Sequence, residues 1–356
     1  MVFMKNLRSN IILFFKITVF SWLLINIKNI LIVQIKIKQM NNKLRICICT
    51  LGKNENKYIR EFVYHYKKYG VDKIFLYDNN NIDGERFDDV ISDFKRKKFV
   101  EIVNFRGAKK SQFQIDTDCY QKNNKSYDWL IFYDLDEYIY LKNYTNIKPF
   151  LSEAKFNECK IIYLNSIRHT DNDLLQYDNR PLAERFPIIN WDNKLFTVKS
   201  IIRGNISKIQ FSSSHWLDKS IKGCNSLGKR IKPNLDKRMY NDIKMFKDCY
   251  IDHYCFKSTE EFINKIKKGD AIHGKTICNI LHKISLYFGY NNITYEKIKY
   301  IEKETGLSLN EYKSKIKKTK RKFKKKKIKL KNKKKSKYVL IVKIKNLTTL
   351  KQLLKK

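Results

Sequence analysis

The feature that most constrains this chain is an alternation of short apolar runs with helix-period segments between residues 44 and 133. The run 44–51 (LRICICTL) ends at Gly52 and has the length and composition of a buried strand. In 55–69 (ENKYIREFVYHYKKY), Ile59, Phe62, Val63 and Tyr66 recur at helical spacing, and Gly70 is a natural stop. A second strand is predicted at 73–77 (KIFLY), closed by the turn cluster 78–84 (DNNNIDG). A helix at 87–94, a strand at 99–103 (FVEIV), a helix near 112–122 and a strand at 129–133 (WLIFY) follow. Helices that join consecutive strands must cross over a largely parallel sheet, so the fold class is α/β. Ligands of such sheets bind beyond the carboxyl ends of the strands.

Composition removes several alternatives. With 43% hydrophobic and 13% aromatic residues in 356, the chain is neither wholly disordered nor a mini-protein that needs staples. Its 11 Gly and 4 Pro exclude a collagen-like architecture. The net charge of +40 is uneven: residues 1–45 carry +8 and residues 313–356 carry +22, neither with any acid, which leaves +10 for the middle. The segment 313–337 holds 17 basic residues in 25, and like charges at that density favour a solvated tail. Such a tail has two readings, a binder of nucleic acid or anionic lipid and a compositional extension in a chain rich in Lys, Asn, Ile and Tyr. The closing stretch 338–356 has apolar runs suited to a short strand or helix.

The N-terminal extension 1–43 contains a mostly apolar segment, 11–27 (IILFFKITVFSWLLINI), with one charge at Lys16. It reads as a single-pass anchor, which implies a membrane localisation, endomembrane in a eukaryote. The competing readings are an interfacial segment peripheral at the cytoplasmic face and an extension upstream of a start at Met40. The folded body is expected over 44–312. None of the eight cysteines forms a paired set with zinc-ligand spacing. Cys47 and Cys49 alternate within the first strand and are expected to pack as small hydrophobes, with disulfides among the later cysteines left open.

The chemistry is carried by the strand 129–133, which runs directly into Asp134, Leu135, Asp136 and Glu137. Three acids in four residues at the end of a buried strand are costly without a compensating cation. Two aspartates two apart can face one side and hold a divalent ion through hard oxygens, and such an ion would neutralise a pyrophosphate leaving group.

At this point the sequence resembles glycosyltransferase family 92 and related nucleotide-sugar glycosyltransferases. The resemblance rests on 52–84 (GKNENKYIREFVYHYKKYGVDKIFLYDNNNIDG) and on Gln112 ahead of Asp118-Cys119. Next come WLIFYDLDEYI, YDNRPLAERF (177–186) and DHYCFKSTEEFINKIKKGDA (252–271), in that order. It spans about residues 44–275, and the basic flanks have no counterpart in it. The resemblance implies a GT-A (Rossmann-like) catalytic domain with a mixed, mainly parallel sheet. It also implies transfer of a hexosyl unit, with galactose one option, from a UDP-sugar to a glycan or glycolipid, with inversion. Mn²⁺ or Mg²⁺ is the implied cofactor.

Carried over by position, Asn54 and Glu55 line the nucleotide pocket, Asp78 and Asn79 contact base or ribose, and Gln112 faces the donor. The bland alternatives are a helix cap for Asn54, a turn former for Asp78 and a surface role for Gln112. Asp134 and Asp136 match the metal-binding pair, Asp136 as direct ligand and Asp134 shared with the ribose; His253 completes the site, and His215 competes for that role. Lys257 neutralises the diphosphate. Asp171 and Asp173 stand where the family's general base is expected, although Thr170 replaces a usual glycine before them. Glu184-Arg185 binds acceptor or forms an ion pair, and Glu260, Glu261 and Lys265 read as a helix surface. The rival classes are a basic nucleic-acid-binding protein on an α/β scaffold and a membrane-associated pseudo-glycosyltransferase.

Overall fold

The computed structural model describes residues 44–108, 112–189, 197–207, 221–231, 249–269 and 277–310, with 26–28, 209, 211, 246 and 343–344 besides. Strand β1 (Ile46–Gly52) is followed by helix α1 (Asn56–Lys68), β2 (Lys73–Asp78), α2 (Asp88–Arg96), β3 (Val100–Asn104), α3 (Gln112–Asn123) and β4 (Trp129–Phe132). This is the expected alternation, and β3, β2, β1 and β4 lie side by side in parallel. The second half of the sheet comprises β5 (Glu137–Leu141), β6 (Ile161–Arg168), β7 (Thr197–Arg203), β8 (Gly223–Asn225), β9 (Arg230–Ile231) and β10 (Cys249–His253). Here β7 is antiparallel to both β4 and β6, β10 parallel to β6, and β5 antiparallel to β10. The main path therefore runs β3-β2-β1-β4-β7-β6-β10-β5, a mixed α/β sheet. Short helices α4 (Ile147–Leu151) and α5 (Leu182–Arg185) bridge strands, and α6 (Thr259–Lys268), α7 (Ile277–Tyr290) and α8 (Tyr295–Thr305) close the body.

Both sheet faces are buried, and the period of two assigns residues to them. Ile46 and Ile48 of β1 pack with Ile59, Phe62, Val63 and Tyr66 of α1 on one side. Cys47 and Cys49 pack with Ile115 and Cys119 of α3 on the other. Burying each large side chain of this kind contributes about 1.5–3 kcal/mol. α1 stops where Gly70 takes φ +79°, a conformation open to glycine at little cost, and where an added Cβ would meet the Asn146 side chain at 2.0 Å. A third cluster joins Phe262, Ile263 and Ile266 of α6 to Ile284 and Tyr287 of α7 and Ile298 and Ile301 of α8.

Two sequence expectations are corrected here. Cys49 is bonded to Cys119, and Cys159 to Cys224; only Cys47 remains the small buried thiol expected of both strand cysteines. The strand period shows that Cys47 and Cys49 share a face, but helix α3 brings its cysteine opposite Cys49 alone. The expected single-pass anchor is also corrected: among the described residues no helix is long and apolar enough to cross a membrane. The segment 11–25 and the tail 313–337 lie outside the described residues.

Candidate functional site

Strand direction decides where the chemistry collects. β1, β4, β6 and β10 run the same way, so their carboxyl ends share one edge, and the antiparallel β5 and β7 begin there. The chain leaves this edge through left-handed residues: Asn54 (φ 53°) after β1, Asn172 (48°) and Asp173 (58°) after β6, Lys257 (56°) after β10. Asn and Asp tolerate that region, whereas for Lys257 it costs roughly 1–2 kcal/mol. At the same edge Gly52 lets Phe87 and Leu135 close in, since a Cβ there would lie 2.5 Å from the Phe87 ring.

Acids and lysines from distant segments meet here. Asp134 accepts from Lys199 Nζ of β7 at 2.7 Å and from Gln112 Nε2 at 3.3 Å. The same ammonium lies 3.0 Å from Glu137. Asp136 accepts from Lys265 Nζ of α6 at 2.6 Å, and its other oxygen lies 3.5 Å from His253 Nε2. Glu55 takes a hydrogen bond from Lys268, while Lys257 Nζ lies 3.5 Å away and 3.4 Å from the centre of the Tyr58 ring. Glu55 is the N-cap residue of α1, yet its side chain makes no capping bond because the site lysines hold it. Local helix chemistry yields to the site.

Burial works to raise each of these carboxyls, and the ammonium neighbours decide the outcome. Lys257 and Lys268 bring Glu55 below its usual range, Lys199 does so for Asp134, and Lys265 with His253 holds Asp136 well below. At Glu137 burial outweighs Lys199 and the carboxyl is raised. Burial lowers Lys257 against the pull of Glu55. Asp116 of α3, buried and close to Asp134, is pushed up to about 8.

Among the described residues no group of three or more His, Cys, Asp or Glu is arranged to hold a metal. Asp134 faces Lys199 and Gln112, His215 lies outside the described residues, and Asp136 and His253 face each other. This carboxylate–imidazole pair suits a hard divalent ion that takes few protein ligands and completes its shell with water and phosphate oxygens.

The remaining sequence candidates divide. Asp78 is occupied by Arg106 Nη1 at 2.7 Å and by Asn80, and Asn79 donates to the carbonyls of Phe105 and Ala108. The backbone N–H of Asn54 donates to Asn80 Oδ1 at 2.7 Å, so the loops after β1 and β2 are tied together. Asp171, 1% exposed, accepts from Tyr287 and from Lys297 Nζ at 2.9 Å. Asp173 shares that ammonium at 2.5 Å, but its side chain is 56% exposed. No hydrogen bond or ion pair joins these two acids to Asp134 or Asp136 among the described residues. Arg185 pairs with Glu261 inside the protein, which selects the ion-pair alternative. Glu261 and Lys265 are not the helix surface expected: one is buried and the other reaches Asp136. Sequence reading missed Lys199, Lys265, Lys268 and Asp116. Lys199 alone left a signal, a charge inside the apolar strand TVKSII.

The family model described as Glycosyltransferase family 92 matches residues 42–280. A glycosyltransferase family 92 protein of Oryza sativa subsp. japonica is 27% identical over 120 residues, 31% of this chain and 20% of that protein. One of Ricinus communis is 29% identical over 103 residues, 29% of this chain and 18% of that protein. The matched part thus spans about a fifth of the length of these curated relatives. Among solved structures, S. aureus TarS 1–349 aligns with 74% of this chain and 71% of its own, at 10% identity and a TM-score of 0.32.

Proposed function

The chain belongs to glycosyltransferase family 92, and from that premise we propose that it transfers a hexosyl unit from a UDP-sugar to a hydroxyl of a glycan or glycolipid, with inversion. Galactose is the first sugar to test. The observation that carries the reading is the convergence of Glu55, Asp134 and Asp136 with Lys257, Lys265, Lys268 and His253 at the carboxyl edge of the sheet.

In this mechanism the acceptor oxygen forms a bond to the anomeric carbon while the bond from that carbon to the diphosphate oxygen breaks. The diphosphate leaves with the electron pair, so the site must stabilise growing negative charge. Lys257, Lys265 and Lys268 supply fixed positive charge, and on donor binding each exchanges part of its contact with Glu55 or Asp136 for phosphate oxygens. Asp136 and His253 would hold a divalent ion, which would supply Lewis-acid neutralisation of the diphosphate. Gln112 and Asp134 orient the donor beside Lys199. Asp173, the accessible acid of the β6 loop, takes the acceptor's proton; Asp171 with Lys297 positions it.

The test is UDP-sugar binding and turnover by the full chain across a donor panel, with and without Mn²⁺ or Mg²⁺. Metal-dependent turnover of one donor is expected, reduced at least about 100-fold in Asp136→Asn. Asp173→Asn is expected to bind donor normally and to lose transfer by about 10²–10⁴. A folded wild type without metal-dependent donor binding would refute the reading.

A further inference from the structure

Helix α3 carries toward the site an acid that no role above uses. Asp116 is 4% exposed, and its Oδ2 is buried with no hydrogen-bond partner among the described residues. Asp134, Asp136 and Glu55 each have an ammonium partner; Asp116 has none in contact. Burying an unpartnered acid in this way carries a desolvation cost that a Leu would not. The position is also firmly held. Gln112, one turn earlier on the same face, donates to Asp134, and the Cys49–Cys119 disulfide pins the helix to β1 one turn after Asp116.

We propose that Asp116 is a specificity-determining residue whose carboxyl takes a hydroxyl of the donor's sugar ring, bound beside Asp134. This rests on the nucleotide-sugar reading above. The chemistry selects the ligand class. Lys199, already seated between Asp134 and Glu137, opposes a second cation, while burial and the nearby Asp134 charge favour the neutral form of the Asp116 carboxyl. A neutral carboxyl presents one O–H donor and acceptor oxygens, a match for ring hydroxyls.

The experiment measures binding of UDP, UDP-hexoses and their monodeoxy analogues to the full chain, for wild type, Asp116→Asn and Asp116→Leu, together with each melting temperature. Asp116→Leu is expected to weaken the preferred UDP-hexose about tenfold, to leave UDP unchanged and to melt higher, because the unpartnered acid is gone. Asp116→Asn keeps hydrogen-bonding capacity and loses less. One deoxy analogue should bind wild type and Asp116→Leu equally. Equal weakening of UDP and UDP-hexose, or no change in either, overturns the role of Asp116. Wild type that binds UDP-sugars to no measurable extent overturns the donor reading itself, a separate and recognisable result.

Discussion

Replacing Arg185 by Met tests how α6 is held in register with the site. Arg185 and Glu261 pair at 2.9 Å with side chains 1% and 4% exposed. Glu261 also accepts from Tyr58 OH at 2.5 Å and, in the capping box that starts α6, from the Ser258 N–H at 3.1 Å. An exposed pair would be worth about 0–1 kcal/mol, but removing one partner of a buried pair strands the other charge and costs about 3–5 kcal/mol. In a domain of this size that corresponds to a melting-temperature loss on the order of 10 °C. Glu261→Gln removes the stranded charge, so the double variant should be more stable than the sum of the single losses predicts, by about 2 kcal/mol. Lys265 lies one turn after Glu261 and Lys268 one further, so loosening the start of α6 should also weaken UDP binding. The assays are thermal melting of the four proteins and UDP titration at a temperature where all remain folded. A loss under about 1 kcal/mol for Arg185→Met, or strict additivity in the cycle, would refute the reasoning.

Two further predictions follow from groups outside that pair. Glu55 sits below its usual range in the folded chain, so its contribution is present above the unfolded value of 4.5 and is lost as pH falls through the folded value. Melting from pH 3 to 7 should therefore show an acid limb that is shallower in Glu55→Gln, and the gap between the two proteins should close at the acid end. The Cys49–Cys119 bond closes a loop of 70 residues between β1 and α3, and its removal by paired Ala substitutions should cost about 2–4 kcal/mol, read by melting under non-reducing conditions.

The first four strands and three helices could be read from the sequence because each is specified locally. Apolar runs bounded by turn residues mark β1 to β4, and the spacing of Ile59, Phe62, Val63 and Tyr66 marks the buried side of α1. The parallel arrangement follows from the crossovers, and with it the edge on which Glu55, Asp134 and Asp136 must lie. The second half of the sheet was less legible, since the antiparallel insertion of β7 between β4 and β6 depends on pairing across the whole domain. His253 and Lys257 were named only through the resemblance of the 252–271 segment; that His253 ends β10 and Lys257 follows it at the same edge came from the structure.

Partners were beyond its reach. Asp134 meets a lysine 65 positions away, Asp136 one 129 away and Glu55 one 213 away. Periodicity tells which face a side chain occupies, not which distant residue faces it. For the same reason Asp171 looked like a free base and is instead enclosed by Tyr287 and Lys297, and Glu261 looked exposed and is buried against Arg185. The α/β alternation and the acidic strand end were determined by the sequence itself, because propensity, spacing and chain direction are local properties. Which acids are neutralised, and that among the described residues Asp116 has no cation in contact while Asp134, Asp136 and Glu55 do, was decided by tertiary packing, because charge compensation is set by distances in space between segments far apart in the chain.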